Sequence, residues 1–232
     1  EISCSLVGSE MCIRDRINTS LYLHNFILYS NLKLEGEVIF LKIKDKKIGF
    51  VLTGSFCTFK YTIPQIKRII EEGGVVIPIM SKNAYNMDTK FGTALEFIKE
   101  IEEITGKEII HTIQGAEPIG PKNLTDILII APATGNTIGK LANGITDDVG
   151  TMATKSHLRN NNPVVVAIST NDALSGSAEN IGKLLNRNNY FFVPFRQDNP
   201  ITKPRSLVFD PKYIIPTLEF ALDKEQIQPI LI

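Results

Sequence analysis

The residues from 132 to 137, Pro-Ala-Thr-Gly-Asn-Thr, bring together the chain's most informative set of chemical groups. Thr134 and Thr137 supply hydroxyls, Asn136 supplies a carboxamide, and Gly135 lets the backbone come close to a ligand. These residues lead into a predicted helix, whose first amides have no intrahelical partner and favour anions. The segment is therefore typical of a site that holds a phosphate group.

Polar turns of the same kind follow three other predicted strands. The four turns are Thr53-Gly54-Ser55, Ser81-Lys82-Asn83, Ala133 to Thr137, and Ser169-Thr170-Asn171-Asp172. Because parallel strands joined by right-handed crossovers place their carboxyl ends on one edge of a sheet, we expect these turns to lie together. Turns favour Ser, Asn and Gly in any α/β protein, so one or two carry little weight. Four together predict a nucleotide-like ligand.

The elements that must position these turns alternate between strands and helices with short connections. Apolar runs predict strands at 47–53, 75–80, 127–131, 164–168 and 190–193, with a weaker strand at 108–111. Helical periodicity predicts helices at 63–72, 93–105, 135–143, 147–159, 180–189 and 211–222. This pattern predicts an α/β fold over residues 45–232, a single three-layer domain with a doubly wound parallel sheet.

Three details of these elements are specific expectations. Pro64 is expected near the first turn of its helix, where a missing backbone donor is tolerated. Pro132 is expected to end the strand that begins at Ile127, because proline cannot donate to a sheet. The buried stripe of the 93–105 helix is predicted to consist of Leu95, Ile98, Ile101 and Ile104.

Composition argues against several classes of function. The chain of 232 residues carries 25 basic and 25 acidic residues, so no net charge draws it to nucleic acid or an anionic membrane. Its cysteines, Cys4, Cys12 and Cys57, lack the even number of a disulfide framework and the spacing of a metal site. No apolar run approaches the roughly 20 residues of a membrane helix. We expect a cytoplasmic protein with no metal site, nucleic-acid partner or membrane anchor.

The first 44 residues differ from the rest of the chain. Residues 1–16 have neither helical nor strand periodicity and resemble a translated sequencing adaptor. Residues 17–40 are interpreted as upstream sequence translated in frame, with Leu41 as an alternative start. Residues 1–44 are therefore expected to be a non-native or disordered extension, a hypothesis that mass spectrometry of the native protein would test.

Two motifs in this sequence resemble those of a known family. Residues 132–137 and the later Ala142-Asn143-Gly144-Ile145-Thr146-Asp147 are similar to the Pro-x-Ser-Ala-Asn-Thr and Ala-Asn-Gly-x-x-Asp motifs of the homo-oligomeric flavin-containing cysteine decarboxylases. More broadly, the chain from about Asp45 resembles the B subunits of dipicolinate synthase, which have a flavoprotein fold. The segments that carry this wider resemblance are 48–58, 64–66, 159–165, 168–174, 191–198 and 228–231.

This resemblance implies a Rossmann-like or flavodoxin-like flavoprotein fold that binds flavin mononucleotide (FMN). Gly54 and Ser55 would meet the phosphate, Ser81 and Asn83 would lie near the ribityl chain or phosphate, and residues 133–137 would flank the isoalloxazine ring. The full set of predicted cofactor-binding residues is Gly54, Ser55, Ser81, Asn83, Ala133, Thr134, Gly135, Asn136, Thr137, Ser169, Thr170 and Asn171.

The resemblance also implies an oxidoreductase role in spore formation. It implies a partner, the A subunit of dipicolinate synthase, which would bring a pyridine nucleotide such as NADP to the oxidation of a dihydrodipicolinate-type precursor to dipicolinate. The implied substrate is a small dicarboxylate, and the implied location is the mother-cell cytoplasm of a sporulating bacterium. A homo-oligomer is implied as well, with the segment 140–148 as the candidate interface.

Two departures from the decarboxylase motifs disfavour oxidative decarboxylation of a cysteine peptide. The approach to the Ile127 strand reads Ala-Glu-Pro-Ile-Gly at 116–120, where the decarboxylases place a catalytic histidine, and His111 lies too far upstream. The loop after Ile168 lacks the decarboxylases' Pro-Ala-Met-Asn sequence. Two alternatives to the main interpretation stay open, namely a non-catalytic partner chain with a vestigial nucleotide pocket, and a flavin-dependent decarboxylase of the wider family.

Oxidation of a dihydropyridine dicarboxylate requires cations for two carboxylates and a group that accepts a proton. The candidate cations are Lys60, Lys82, Arg196, Lys203 and Arg205. Of these, Lys60 and Arg196 are predicted to bind the substrate, although most lysines on an α/β surface are solvated.

No residue is predicted as the proton acceptor, so the catalytic residue stays unassigned. Cys57 is interpreted as a thiolate near a helix start or, with more weight, as a small buried hydrophobe. A surface role is expected for His157, because its neighbours are mostly basic. Asp147 and Asp172 lie in turn regions, where they are expected to cap helices.

Overall fold

Five parallel strands form the centre of the molecule in this computed structural model, which describes residues 42–232. The strands of this part of the chain are β1 (Lys47–Leu52), β2 (Val75–Met80), β3 (Ile127–Ala133), β4 (Val164–Thr170), β5 (Tyr190–Phe192), β6 (Phe195–Asn199) and β7 (Lys203–Phe209). The parallel strands lie in the order β2-β1-β3-β4-β5, which is the flavodoxin-like order of a doubly wound sheet. The predicted α/β fold is confirmed.

Helices cover both faces of this sheet. They are α1 (Phe59–Glu71), α2 (Lys82–Asn86), α3 (Ala94–Thr105), α4 (Ile113–Ala116), α5 (Gly135–Ala142), α6 (Val149–Leu158), α7 (Ala178–Leu185) and α8 (Ile214–Leu222). Short 3-10 helices lie at Phe56–Thr58, Glu117–Ile119 and Pro211–Tyr213. Among the described residues, no helix combines the length and apolar character needed to cross a bilayer.

The predicted three-layer arrangement is visible in two hydrophobic cores, one on each face. Successive strand residues point to opposite faces, so Phe50 joins the core under α1, α3 and α8, while Val51 joins the core under α5, α6 and α7. Ile43 is fully buried in the first of these cores, ahead of the boundary expected at residue 45. The expectations for residues 1–41 lie outside the described part of the chain and stay predictions.

An antiparallel hairpin, β6–β7, extends the sheet and corrects the expectation of a purely parallel one. The hairpin joins the carboxyl end of β4, where Ser169 pairs with Val208 and Thr170 pairs with Leu207. The expected strand at 108–111 is absent as an element, since only Ile110 forms a bridge, to Ile79 of β2. Both differences arise in segments whose apolar pattern is short or interrupted by polar residues.

Three detailed expectations were wrong at one residue each. Pro64 lies in the middle of α1, because the 3-10 helix at Phe56–Thr58 leads into a helix that starts earlier than expected. The predicted stripe of α3 fails at Leu95, which is 74% exposed. Ile101 is buried and Ile98 and Ile104 pack against the core, together with the unpredicted Ala94 and Phe97. β3 continues through Pro132, and a register shift between Ile130 and Ala133 accommodates the missing backbone donor.

Candidate functional site at the carboxyl edge of the sheet

The loops after β1 and β3 meet at the point where the strand order reverses. In open α/β sheets this switch point is the preferred ligand site, because neighbouring connections diverge to opposite faces and leave a crevice. Thr53, which is buried, fixes the two loops to each other. Its hydroxyl donates to the Pro132 carbonyl at 2.6 Å and accepts from the Thr134 amide at 3.2 Å. The two loops are therefore joined through the one buried hydroxyl of Thr53.

The turn at Gly54 and Ser55 presents open backbone to this crevice. A methyl group added to Gly54 would contact only the Phe56 ring, at 3.8 Å. The Ser55 amide donates to the Thr53 carbonyl at 2.8 Å, and the Ser55 hydroxyl lies 2.9 Å from that of Ser169, near the end of β4. A ligand can thus approach the main chain at Gly54 without meeting a side chain there.

The start of α5 provides the helix terminus that the sequence predicted. The Thr134 side chain caps this helix by accepting from the Thr137 amide at 3.4 Å, and the two hydroxyls lie 3.0 Å apart. A Cβ on Gly135 would come within 2.6 to 2.8 Å of Ser177 Oγ, Thr170 Oγ1 and Asp172 Oδ1. Gly135 is therefore needed for close packing against the loop after β4.

Asp172 organises that loop. It accepts hydrogen bonds from the Thr170 hydroxyl at 2.6 Å and from the Ser177 hydroxyl at 2.9 and 3.0 Å. The Thr170 hydroxyl is the main cause that lowers the pKa of the Asp172 carboxyl below its usual value. The ionised side chain connects the loop to Ser177, the residue before α7, so its role is structural. It accepts from hydroxyls and from no helix amide, so the expectation that Asp172 caps a helix was wrong.

Two cavities open along this edge of the sheet. The hairpin cavity, of about 370 Å³, lies between the loop after β1 and the β6–β7 hairpin. Its lining includes Gly54, Ser55, Cys57, Lys60, Tyr61, Thr134, Ser169, Thr170, Asn171, Asp198, Lys203 and Ser206. The α5 cavity, of about 450 Å³, is lined by Thr53, Gly54, Ser81, Lys82, Asn83, Thr134, Asn136, Thr137, Lys140, Asp147 and Asp148. Gly54 and Thr134 line both cavities, so the two adjoin at the switch point.

The structure brings all four predicted turns to this edge. Ten of the twelve predicted cofactor residues line one or both cavities, namely Gly54, Ser55, Ser81, Asn83, Thr134, Asn136, Thr137, Ser169, Thr170 and Asn171. Ala133 is fully buried and Gly135 packs on the loop after β4, and neither lines the two cavities. Binding of a cofactor by these residues stays a prediction.

The candidate cations separate into two groups. Lys60 and Lys203 line the hairpin cavity, and Lys82 lines the α5 cavity. Arg196 on β6 and Arg205 on β7 are exposed and line neither cavity. The structure therefore does not bring the predicted substrate residue Arg196 together with Lys60.

Sequence reasoning missed several residues that shape these cavities. Asp198 and Ser206 come from the hairpin that was not predicted. Asp148, rather than the expected Asp147, caps α6, and it also accepts from the Lys82 amide at 3.0 Å. The capping-box spacing of Asp148 and Thr151 was the signal that could have found it. Asp147 instead pairs with Lys140 at 2.7 Å, and this hydrogen bond lowers the pKa of Asp147.

The expected surface role of His157 was wrong, because this side chain is 1% exposed. Its Nε2 lies 3.0 Å from the Pro163 carbonyl, which can only accept, so Nε2 carries the proton. Its Nδ1 then accepts from the Thr125 hydroxyl at 2.8 Å. Burial is the main cause that lowers the pKa of His157 to about 4. His157 therefore joins α6 to the starts of β3 and β4 as a neutral ring. Both of its nitrogens are engaged in structural hydrogen bonds, so it is not a candidate for proton transfer.

Two other reactive side chains, Cys57 and His111, lie in different surroundings. Cys57 is exposed and lines the hairpin cavity, so the interpretation of a buried hydrophobe was wrong. His111 stacks on Tyr85 with ring centroids 4.0 Å apart, which gives it a packing partner away from both cavities. Within residues 42–232, no group of three or more His, Cys, Asp or Glu side chains is placed to hold a metal ion.

Comparison with known proteins decides the family. A sequence model of the flavoprotein family matches residues 41–209. The chain belongs to the flavoprotein family. Among flavoproteins, it is 47% identical over 190 residues to the B subunit of dipicolinate synthase from Bacillus subtilis, an alignment that covers 82% of this chain and 95% of that protein.

Solved structures of flavoproteins agree with this assignment. The crystal structure of the dipicolinate synthase B subunit from Bacillus halodurans is 45% identical, with a TM-score of 0.76, and the match covers 82% of this chain and 97% of that one. The FMN-dependent cysteine decarboxylase SpaF is 20% identical with a TM-score of 0.56, covering 79% of this chain and 98% of that one. That second likeness shows the shared fold alone.

Proposed function

We propose that this flavoprotein acts as the B subunit of a dipicolinate synthase and binds FMN at the switch point between β1 and β3. Together with a pyridine-nucleotide-binding A subunit, it would oxidise a dihydrodipicolinate-type precursor to dipicolinate. The observation that carries this proposal is the meeting of all four polar turns beside two adjoining cavities in a chain 47% identical to a protein of that name.

The chemistry of the cavity walls fits FMN. The Thr134-capped start of α5 offers unpaired amides for an anionic or electron-rich group, and the backbone at Gly54 is open to a close approach. Ser81 and Asn83 line the α5 cavity with groups able to bond a ribityl chain or phosphate. The Thr53 hydrogen bonds hold the two loops at fixed separation, so little ordering would be needed on binding.

When bound, FMN supplies the acceptor for the hydride that leaves the substrate ring. The protein's own residues must orient the ring, bind the carboxylates and exclude side reactions. Lys60, which lines the hairpin cavity, supplies a cation for a substrate carboxylate. The residue that accepts the substrate proton stays unassigned.

The assembly follows from the same assignment. The A subunit would supply NADP as the pyridine nucleotide, and self-association would use residues 140–148, where Ile145 is 46% exposed. The expected place of action is the mother-cell cytoplasm of a sporulating bacterium. These parts of the proposal depend on the resemblance to the B subunits.

Reconstitution tests the proposal. The purified chain is mixed with the A subunit, oxidised NADP as the final hydride acceptor and a dihydrodipicolinate-type precursor, and dipicolinate formation is followed chromatographically with and without added FMN. We expect product formation to require both chains and to increase with FMN. An equal rate with a flavin-free chain would support the non-catalytic partner instead, and turnover of a cysteine peptide without dipicolinate formation would support a decarboxylase.

A further inference from the structure

The hairpin cavity has an excess of positive charge. Among the described residues, the charged side chains that line it are Lys60, Asp198 and Lys203. The lining of the α5 cavity is balanced instead, because its lysines, Lys82 and Lys140, are accompanied by two aspartates. An anionic substrate is therefore better accommodated between the loop after β1 and the hairpin than at the α5 end.

Lys203 is held in a defined position by the hairpin itself. Its Nζ lies 2.5 Å from Asp198 Oδ2, and its backbone pairs with Asn199 next to the turn. The turn is ordered by the Asn199 side chain, whose Oδ1 accepts from the amides of Ile201 and Thr202 at 3.0 and 2.9 Å. The ion pair therefore joins the two strands of the hairpin and places the ammonium at the cavity wall.

The Lys203 ammonium keeps capacity for a ligand. Lysine carries three N–H donors, and Asp198 uses one of them. The hydrogen bond from Lys203 to Asp198 raises the pKa of Lys203 further above its ordinary value, so the cation persists at any physiological pH. Lys60 contributes a second cation from a different wall, near the start of α1, with its Nζ 4.7 Å from the Tyr61 ring centroid.

We propose that Lys203, positioned by Asp198, is a substrate-binding residue that selects dicarboxylates by pairing with the second carboxylate, while Lys60 pairs with the first. This inference rests on the proposed function and assigns recognition to a hairpin residue in place of Arg196. A planar ring with two carboxylates would then lie between two lysines from separate walls, whereas a monocarboxylate would use only one of them.

Equilibrium binding to the FMN-loaded chain tests this assignment. Pyridine-2,6-dicarboxylate and pyridine-2-carboxylate are titrated calorimetrically into the wild type and into Lys203→Ala, Lys203→Arg and Asp198→Asn. The matched control is Lys212→Ala, because Lys212 forms a similar ion pair with Asp210, at 3.2 Å, and lines neither cavity.

We expect Lys203→Ala to weaken dicarboxylate binding about tenfold or more, as for loss of a hydrogen bond between charged groups, and to change monocarboxylate binding much less. Lys203→Arg should keep most of the selectivity, Asp198→Asn should reduce it, and Lys212→Ala should leave it unchanged. Melting temperature reports folding for every variant, and FMN content reports whether the folded chain retains the cofactor.

Two results would overturn the inference. One is an unchanged ratio of the two affinities in Lys203→Ala, and the other is loss of FMN from that variant, which would place the flavin phosphate at Lys203. Failure of the wild type to bind FMN at all would instead contradict the proposed function, so the two failures are distinguishable.

Discussion

The hydroxyl oxygens of Ser55, just after β1, and Ser169, near the end of β4, lie 2.9 Å apart, although β1 and β4 are not neighbours in the sheet. β3 lies between β1 and β4, so this contact passes over the carboxyl end of β3, where Thr134 begins the connection to α5. The pair thus closes one side of the crevice at the switch point and brings the carboxyl ends of β1, β3 and β4 into one site.

Removing the Ser55 hydroxyl tests the contribution of this contact to the proposed cofactor site. We expect Ser55→Ala to weaken FMN binding about fivefold, the cost of one ordinary hydrogen bond. The reason is that the variant lacks the hydrogen bond between the loop after β1 and Ser169 of β4. Fluorescence titration with FMN measures the change. Ser175→Ala is the control, since the Ser175 hydroxyl bonds to the Asp172 carbonyl and lines neither cavity. Equal affinities in the two variants would contradict the assignment.

A large side chain at Gly54, which lines both cavities, should abolish FMN binding without unfolding the chain. Gly54→Leu projects a side chain into space that now holds only the edge of Phe56 within 4 Å. Gly182→Leu is the matched control, because Gly182 is exposed on α7 and a Cβ added there would meet nothing within 4 Å. Flavin absorbance after gel filtration shows whether each variant retains FMN. Retained flavin in Gly54→Leu would exclude the backbone at Gly54 from the binding site.

His157 should make folding stability depend on pH. Its pKa is about 4 in the folded chain against 6.5 for the unperturbed group, so the unfolded chain binds the proton more readily. The contribution of the neutral His157 ring to the free energy of unfolding is complete above pH 6.5 and is lost as the pH falls toward 4. The total loss is about 3 kcal/mol. Urea unfolding of wild type and His157→Gln at several pH values measures it. The free energy of unfolding of His157→Gln should depend less steeply on pH between 6.5 and 4 than that of the wild type. Identical pH dependences would show that another group titrates.

Gly120 should not tolerate a side chain. A Cβ there would lie 1.9 Å from the Ser156 carbonyl oxygen, and the Gly120 amide donates to the Ser156 hydroxyl at 2.8 Å. We expect Gly120→Ala to lower the free energy of unfolding by about 3 kcal/mol or more, because α6 and the 117–120 segment must separate. Gly182→Ala should instead raise stability by up to about 1 kcal/mol. Urea unfolding of both variants would contradict this account if they were equally stable.

The parallel core and the meeting of the turns could be predicted because both depend on local patterns. Continuous apolar runs such as Ile127 to Ala131 mark strands covered on both faces, and parallel topology then places their following loops at one edge. The alternation of elements and the resemblance to flavoproteins predicted a Rossmann-like or flavodoxin-like sheet, but they did not decide between the two strand orders.

The hairpin and the place of His157 could not be predicted from local patterns. The hairpin strand Phe195–Asn199 is mostly polar on its exposed side and is stabilised by pairing with β7, a contact invisible in the sequence alone. His157 has basic neighbours in sequence, but its ring is enclosed by Thr125 and Pro163 from distant segments. Tertiary contacts determine both the formation of the hairpin and the burial of His157. The hairpin also supplies the residues on which dicarboxylate selectivity is proposed to depend.

Titration of the flavin-free chain with FMN is the most direct test of the central claim that the turns after β1, β2, β3 and β4 form one flavin site. Quenching of flavin fluorescence should saturate at one FMN per chain. Riboflavin should bind more weakly, because it lacks the phosphate that the open amides favour. Absence of saturable binding, or equal affinity for riboflavin and FMN, would contradict the claim.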